Sequence, residues 1–139
     1  MAASYNTGEF GRQARADLTI ARGLGWLSIG LGLNDLFGRG KVAQLTGIGN
    51  TTLIGAYGLR EIVTGLGLVL ARDPSPWVWA RVCGDALDLG TLATGVTAEN
   101  PRRNGALFGL LMVVGIATVD VVIAGRLHGA AERAARNSG

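Results

Sequence analysis

The sequence predicts an all-α protein, a bundle of four transmembrane helices with both termini on the same side of the membrane. Three observations predict it. Hydrophobic residues fill 48% of the 139 positions and charged residues only 17%, below the roughly one quarter usual in soluble domains. Glycine occurs 23 times. In a soluble helix each would cost roughly 1 kcal/mol relative to alanine, whereas membrane helices use the missing side chain for close packing. Finally, the apolar residues gather into four segments near the ~20 residues that cross a hydrocarbon layer of ~30 Å. The mean hydropathy is +0.33. No alternation of period two persists, so no strands are expected, and the length suits one domain, residues 1–139.

The opening "MAASYNTGEFGRQARADLT" is polar and lacks the apolar core of a signal peptide. The first span is expected at 18–36, "LTIARGLGWLSIGLGLNDL". The linker "FGRGKVAQLTGIGN" has room for a short interfacial helix before the second span, 52–70. "RDPSP" then breaks the chain at Pro74 and Pro76, and the third span is expected at 77–96. "TAENPRRN" leads to the fourth, 105–125, the most apolar, with Asp120 as its only charge. The end, "RLHGAAERAARNSG", reads as a frayed helical extension. A soluble bundle is the alternative. The polar positions of the second and fourth segments, however, form no stripe wide enough to face water. Arg12, Arg15, Arg72, Arg126, Arg133 and Arg136 fall on the side of the termini, against Arg39, Lys41, Arg102 and Arg103 on the other. The positive-inside rule then places the termini in the cytoplasm.

A glycine cassette occurs twice. "GLGWLSIGLGL" (23–33) and "GLREIVTGLGL" (58–68) agree at six of eleven positions. Gly23 and Gly30, Gly25 and Gly32, and Gly58 and Gly65 are each seven apart, close to two helical turns, so each pair shares a face. Gly67 extends the second cassette, and Gly105 and Gly109 form a GxxxG pair. These faces predict tight packing between helices of one subunit, or a contact with another subunit or with a lipid or quinone tail.

Charges inside the apolar segments are the other feature. Counted inward at ~1.5 Å per residue, Arg22, Arg81 and Asp120 lie in a shallow layer, and Arg60, Glu61, Asp85 and Asp88 lie near the midplane. An unpaired charge there costs at least ~2.5 kcal/mol, so pairing is expected. Arg81, Asp85 and Asp88 recur at i, i+4 and i+7 and form one inward stripe, in which Arg81 can pair with Asp85. Asp88 then needs Arg60 from another helix, and Arg22 can take Asp120. Glu61 is ~100° around its helix from Arg60 and is expected to point elsewhere. The set leaves about one excess acid. Asp35, near the outer edge, can reach headgroups. The network reads as a polar clasp, or as a proton relay, ion path or ligand pocket.

Other chemistry is sparse. One cysteine, Cys83, excludes a disulfide framework or Cys-rich metal site. One histidine, His128, argues against a His-ligated metal or a bis-His haem. No nucleophile and base set, Walker loop or dinucleotide motif occurs, so no catalytic residues, metal or cofactor are expected. Basic residues are scattered without interleaved aromatics, which disfavours nucleic acid. Trp26, Trp77 and Trp79 suit packing and the interfacial belt. Cys83 suits a small packing role, and His128 a surface position.

"GLREIVTGLGL" followed by "PSPWVWARVCGDALDLGTL" resembles small four-helix bacterial integral membrane proteins of uncharacterised function. Their GLRE and RxxGDxxDL segments match Gly58, Leu59, Arg60, Glu61, Gly65, Arg81, Gly84, Asp85, Asp88 and Leu89. Similar segments precede cyclase/dehydrase-like lipid-binding domains. The resemblance implies the membrane bundle and a bacterial inner-membrane location. It implies no activity. Two functions fit these readings: an accessory or scaffolding subunit embedded in membrane lipid within a larger complex or homo-oligomer, or a small transporter, channel or proton-relay element using the buried charges.

Overall fold

The computed structural model describes residues 4–137. Among them are four helices and no strand: α1 Ser4–Thr46, α2 Thr51–Leu70, α3 Ser75–Thr94 and α4 Arg103–Asn137. The first helix departs most from expectation. It continues past Leu36 through Gly38 and Gly40 to Thr46, for 43 residues, or ~65 Å, and the linker holds no separate helix. A helix whose flanking residues favour it tolerates two glycines at ~1 kcal/mol each. The stop comes at Gly47, whose φ of +73° ends the helix in the left-handed region that glycine enters without penalty.

Local chemistry sets the remaining ends. Asn50 Oδ1 accepts from the Leu53 amide at 3.0 Å and caps α2. Asp73 Oδ1 accepts from the Ser75 amide at 3.0 Å, and Pro76 sits in the first turn of α3, where its missing N–H is no loss. Asn100 has a wider role. Its Nδ2 donates to Thr46 O at 2.9 Å and Gly95 O at 2.7 Å, and its Oδ1 accepts from the Arg102 amide at 2.9 Å. One side chain thus satisfies the C-terminal ends of α1 and α3 and opens α4.

Every sequential pair of helices is antiparallel, as the contacts show. Gly25 meets Gly65 and Gly32 meets Gly58. Tyr57 bonds Thr91 at 2.7 Å, and Gly95 meets Ala106. The helices form a ring in which α1 packs most extensively on α2 and α3 on α4, with α2 on α3 and α1 on α4 more open. Ser4 and Asn137 therefore lie at the same end.

From that end the interior changes character. Ala21, Leu24, Leu68, Val78, Ile123, Ala124 and Leu127 form an apolar core, with Trp77 and Val82 against it. Next comes a layer of charged side chains, then a cavity, then the Asn100 clip. Charged side chains lie inside the bundle while several large apolar ones are exposed. Arg81 is the largest fully buried side chain and Asp120 is 0% exposed, whereas Phe37 is 82%, Phe108 67% and Leu111 62% exposed.

Two helices, α2 and α4, are long and apolar enough to cross a membrane, not four as expected. Arg81, Asp85 and Asp88 dilute α3, and Arg22, Asn34 and Asp35 dilute α1. The apolar stretch of α4, mean hydropathy 2.5, is only 17% buried, so it is not a core helix hidden by its neighbours.

Candidate functional site: a buried charge ladder beside a cavity

The α1–α2 contact prepares the site. A Cβ on Gly65 would stand 2.6 Å from Gly25 O, and one on Gly25 would stand 2.9 Å from Gly65 O. At the other crossing, a Cβ on Gly58 would stand 2.7 Å from Gly32 O. The two cassettes thus meet antiparallel, backbone against backbone. Gly23 and Gly30 do not take part, since nothing lies within 4 Å of their Cβ positions; they are exposed on the other face of α1. Gly67 packs against the Trp77 ring, Gly105 against the Leu45 carbonyl, and Gly109 against Leu92, which a Cβ on Gly109 would approach to 3.2 Å.

Close approach at Gly25 and Gly32 brings Ser28, on the same face, against α2. There a ladder of alternating charge crosses the bundle. Arg60 Nη2 contacts Asp88 Oδ2 at 2.8 Å and Glu61 Oε1 at 2.6 Å, and Arg60 Nη1 donates to Gly84 O at 2.8 Å. Glu61 Oε2 is 3.1 Å from Arg81 Nη1. Arg81 Nε donates to Asp120 Oδ2 at 2.9 Å. Arg81 Nη1 also donates to Ser28 Oγ, whose hydroxyl donates to Glu61 Oε2. The ladder therefore runs Asp88, Arg60, Glu61, Arg81, Asp120, and Ser28 adds α1, so all four helices are joined. Gly84 is the position that admits Arg60: a Cβ there would stand 2.6 Å from Arg60 Cζ. Arg60 also lies 5.3 Å from the Tyr57 ring centroid, within cation–π range.

The expected Arg60–Asp88 pair is present. Three other expectations are corrected. Arg22 does not pair with Asp120; it is exposed, on the outward face with Gly23, and Arg81 takes Asp120 instead. Arg81 does not pair with Asp85 within its own helix, because its side chain reaches across to α2 and α4. Glu61 does converge with Arg60, since both side chains are long enough to bend together from different faces of α2. Trp77 packs between Gly67 and the core and is no exposed anchor, whereas Trp26 is 65% exposed. Cys83 is exposed. His128 is exposed and lies 3.3 Å from Glu132.

With Arg22 outside, the buried Arg81 and the half-buried Arg60 face four acids, Glu61, Asp85, Asp88 and Asp120. Asp85 is the acid left over. It has no ion-pair partner among the described residues, and its Oδ2 and Asp120 Oδ1 are buried without a hydrogen-bond partner.

On the side of the ladder away from the apolar core lies a cavity of about 390 Å³. Its floor is polar, with Glu61, Arg81, Asp85 and Asp88, and Asp35 from α1 stands on its wall. Leu31, Ile54, Phe108, Met112 and Ile116 line the rest. Asp35 is half-buried here, and its Oδ1 accepts from Asn34 Nδ2 at 3.4 Å. Among the described residues, no group of three or more His, Cys, Asp or Glu side chains is arranged to hold a metal ion.

Sequence reasoning missed Ser28, Asn100 and the cavity. Ser28 was open to detection, because it follows Gly25 by three and precedes Gly32 by four, on the face those glycines share. Comparison with protein-family models, curated proteins and solved structures finds no match to this chain.

Proposed function

We propose that the chain is a multi-pass membrane protein whose four helices all lie in the bilayer, and that it serves as an accessory or scaffolding unit without chemistry of its own. The observation that carries this reading is the inverted surface: Arg81 and Asp120 are fully buried while Phe37, Leu111 and Trp26 face outward. In water such a surface would drive aggregation; in lipid it matches the solvent. α3, too polar to qualify by hydropathy, turns Arg81 and Asp85 inward and presents lipid with its apolar face; on α1 Ser28 turns inward, while the exposed Arg22 extends its guanidinium along the helix towards the headgroups. Gly23 and Gly30, unused within the bundle, supply a surface on which a helix of another subunit can pack closely. The greater number of arginines at the end of the termini favours a cytoplasmic position for them, in a bacterial inner membrane.

The test is alkaline carbonate extraction of membranes from the native host, followed by native mass in mild detergent. Retention in the membrane pellet with a defined larger complex supports both parts. Extraction into the supernatant overturns the membrane reading, and a lone monomer overturns the accessory reading. A transport or relay function is the second reading, favoured by the cavity beside an unpaired buried carboxyl.

A further inference from the structure

We propose that the cavity between the four helices is a binding site for a lipophilic cation, an apolar or aromatic body bearing one ammonium-type charge. The cavity volume of about 390 Å³ falls in the range of ~300–1,000 Å³ typical of small-molecule sites. Its walls from Leu31, Ile54, Phe108, Met112 and Ile116 suit an apolar body. Its charge is one-sided. Arg81 is its single lining cation, against Asp35, Glu61, Asp85 and Asp88. Arg81 places its Nε and Nη1 on Asp120, Glu61 and Ser28, so the cation of the lining is already shared among acids and a hydroxyl, against four carboxyls in all. Glu61 and Asp88 are answered by Arg60. Asp35 and Asp85 are not answered by any cation among the described residues.

Asp85 is the decisive group. It is 4% exposed, it lines the cavity, and its Oδ2 has no hydrogen-bond partner. A buried carboxyl oxygen without a partner is costly and is relieved by any cation brought close to it. A neutral apolar molecule would fill the walls but leave that charge unanswered. An anion would meet two uncompensated carboxyls. The inference rests on the membrane reading only for the route of entry, through lipid and between α2 and α3 or α1 and α4, the more open contacts of the ring.

The test uses the full-length protein in dodecyl maltoside and a matched pair of fluorescent probes. (2-Naphthylmethyl)trimethylammonium is the cation, and 2-neopentylnaphthalene is its neutral isostere. A Val113→Trp variant, which fills the cavity from α4, supplies the baseline for partitioning into micelles. The cation is expected to bind saturably to wild type and not to Val113→Trp. It should bind roughly tenfold or more tightly than the isostere, and Asp85→Asn should lose about that factor for the cation alone. Equal affinity for the two probes overturns the proposal on wild type, with no variant needed. Saturable binding of the cation that survives Val113→Trp also overturns it. Carbonate extraction of the same membranes separates the two readings: a protein that is extracted yet binds the cation sinks the membrane placement and leaves the site intact.

Discussion

Replacing Arg81 by methionine is the most informative perturbation of the ladder. The side chain is 1% exposed and contacts Asp120 at 2.9 Å and Glu61 at 3.1 Å, with Ser28 between. Methionine keeps most of the length and apolar stem but removes every donor. Asp120, itself 0% exposed, then has no cation, and Glu61 keeps only Arg60. Removing one partner of a buried pair leaves an uncompensated charge and costs about 3–5 kcal/mol. That is roughly two to three and a half orders of magnitude in the folding equilibrium. The cost belongs to the abandoned carboxylate, so Arg81→Met/Asp120→Asn should recover about 1–3 kcal/mol relative to the sum of the single changes. Unfolding in mixed micelles of dodecyl maltoside and dodecyl sulfate, followed by tryptophan fluorescence, to which Trp77 beside the core contributes, measures both quantities. A single variant within about 1 kcal/mol of wild type, or strictly additive changes, would refute the view that Arg81 neutralises Asp120.

Gly65→Leu should separate α1 from α2, because its Cβ alone would stand 2.6 Å from Gly25 O; a loss of about 3 kcal/mol or more is expected in the same unfolding assay. Gly30→Leu meets nothing within 4 Å and should leave the bundle's stability within about 0.5 kcal/mol, while shifting native mass downward if that face packs on another subunit. Asn100→Ala leaves the Thr46 and Gly95 carbonyls without their donor and should cost about 1–3 kcal/mol, seen as faster amide exchange around Gly47 and Gly95. Asp17→Asn breaks only the pair to the half-exposed Arg126 at 3.4 Å and should change stability by less than about 1 kcal/mol; a larger loss would mean the terminal end is held electrostatically.

Much of the helical framework was legible because its signals are local. Pro74 marks the break before α3 and Pro76 is taken into its first turn, not past it, both by local backbone chemistry, and the four apolar segments are long enough to be helices whatever surrounds them. The extension of α1 to Thr46 was less legible. Gly38 and Gly40 are weak breakers, and the actual stop depends on Gly47 taking a positive φ against Asn100, more than fifty residues away. In the ladder, Arg60 and Asp88 could be matched by depth. The partner of Arg81 could not, since an arginine side chain reaches an adjacent helix as easily as a residue one turn along its own.

The residues themselves determined that this chain forms apolar, glycine-rich helices carrying more charge than lipid or an apolar core accepts unpaired. They also determined which glycines share a face, because helical periodicity sets angles around each helix axis. Tertiary structure alone decided which of those faces is used. Gly25 and Gly32 face α2 while Gly23 and Gly30 face outward, and that rotation places Ser28 in the ladder and Arg22 on the surface. It also decided that Asp85 is the carboxyl left without a cation, at the floor of a cavity. Periodicity sets angles within a helix but not the rotation of one helix against the next. That rotation is chosen by the closest backbone approach and by the few pairings that leave the fewest buried charges unanswered.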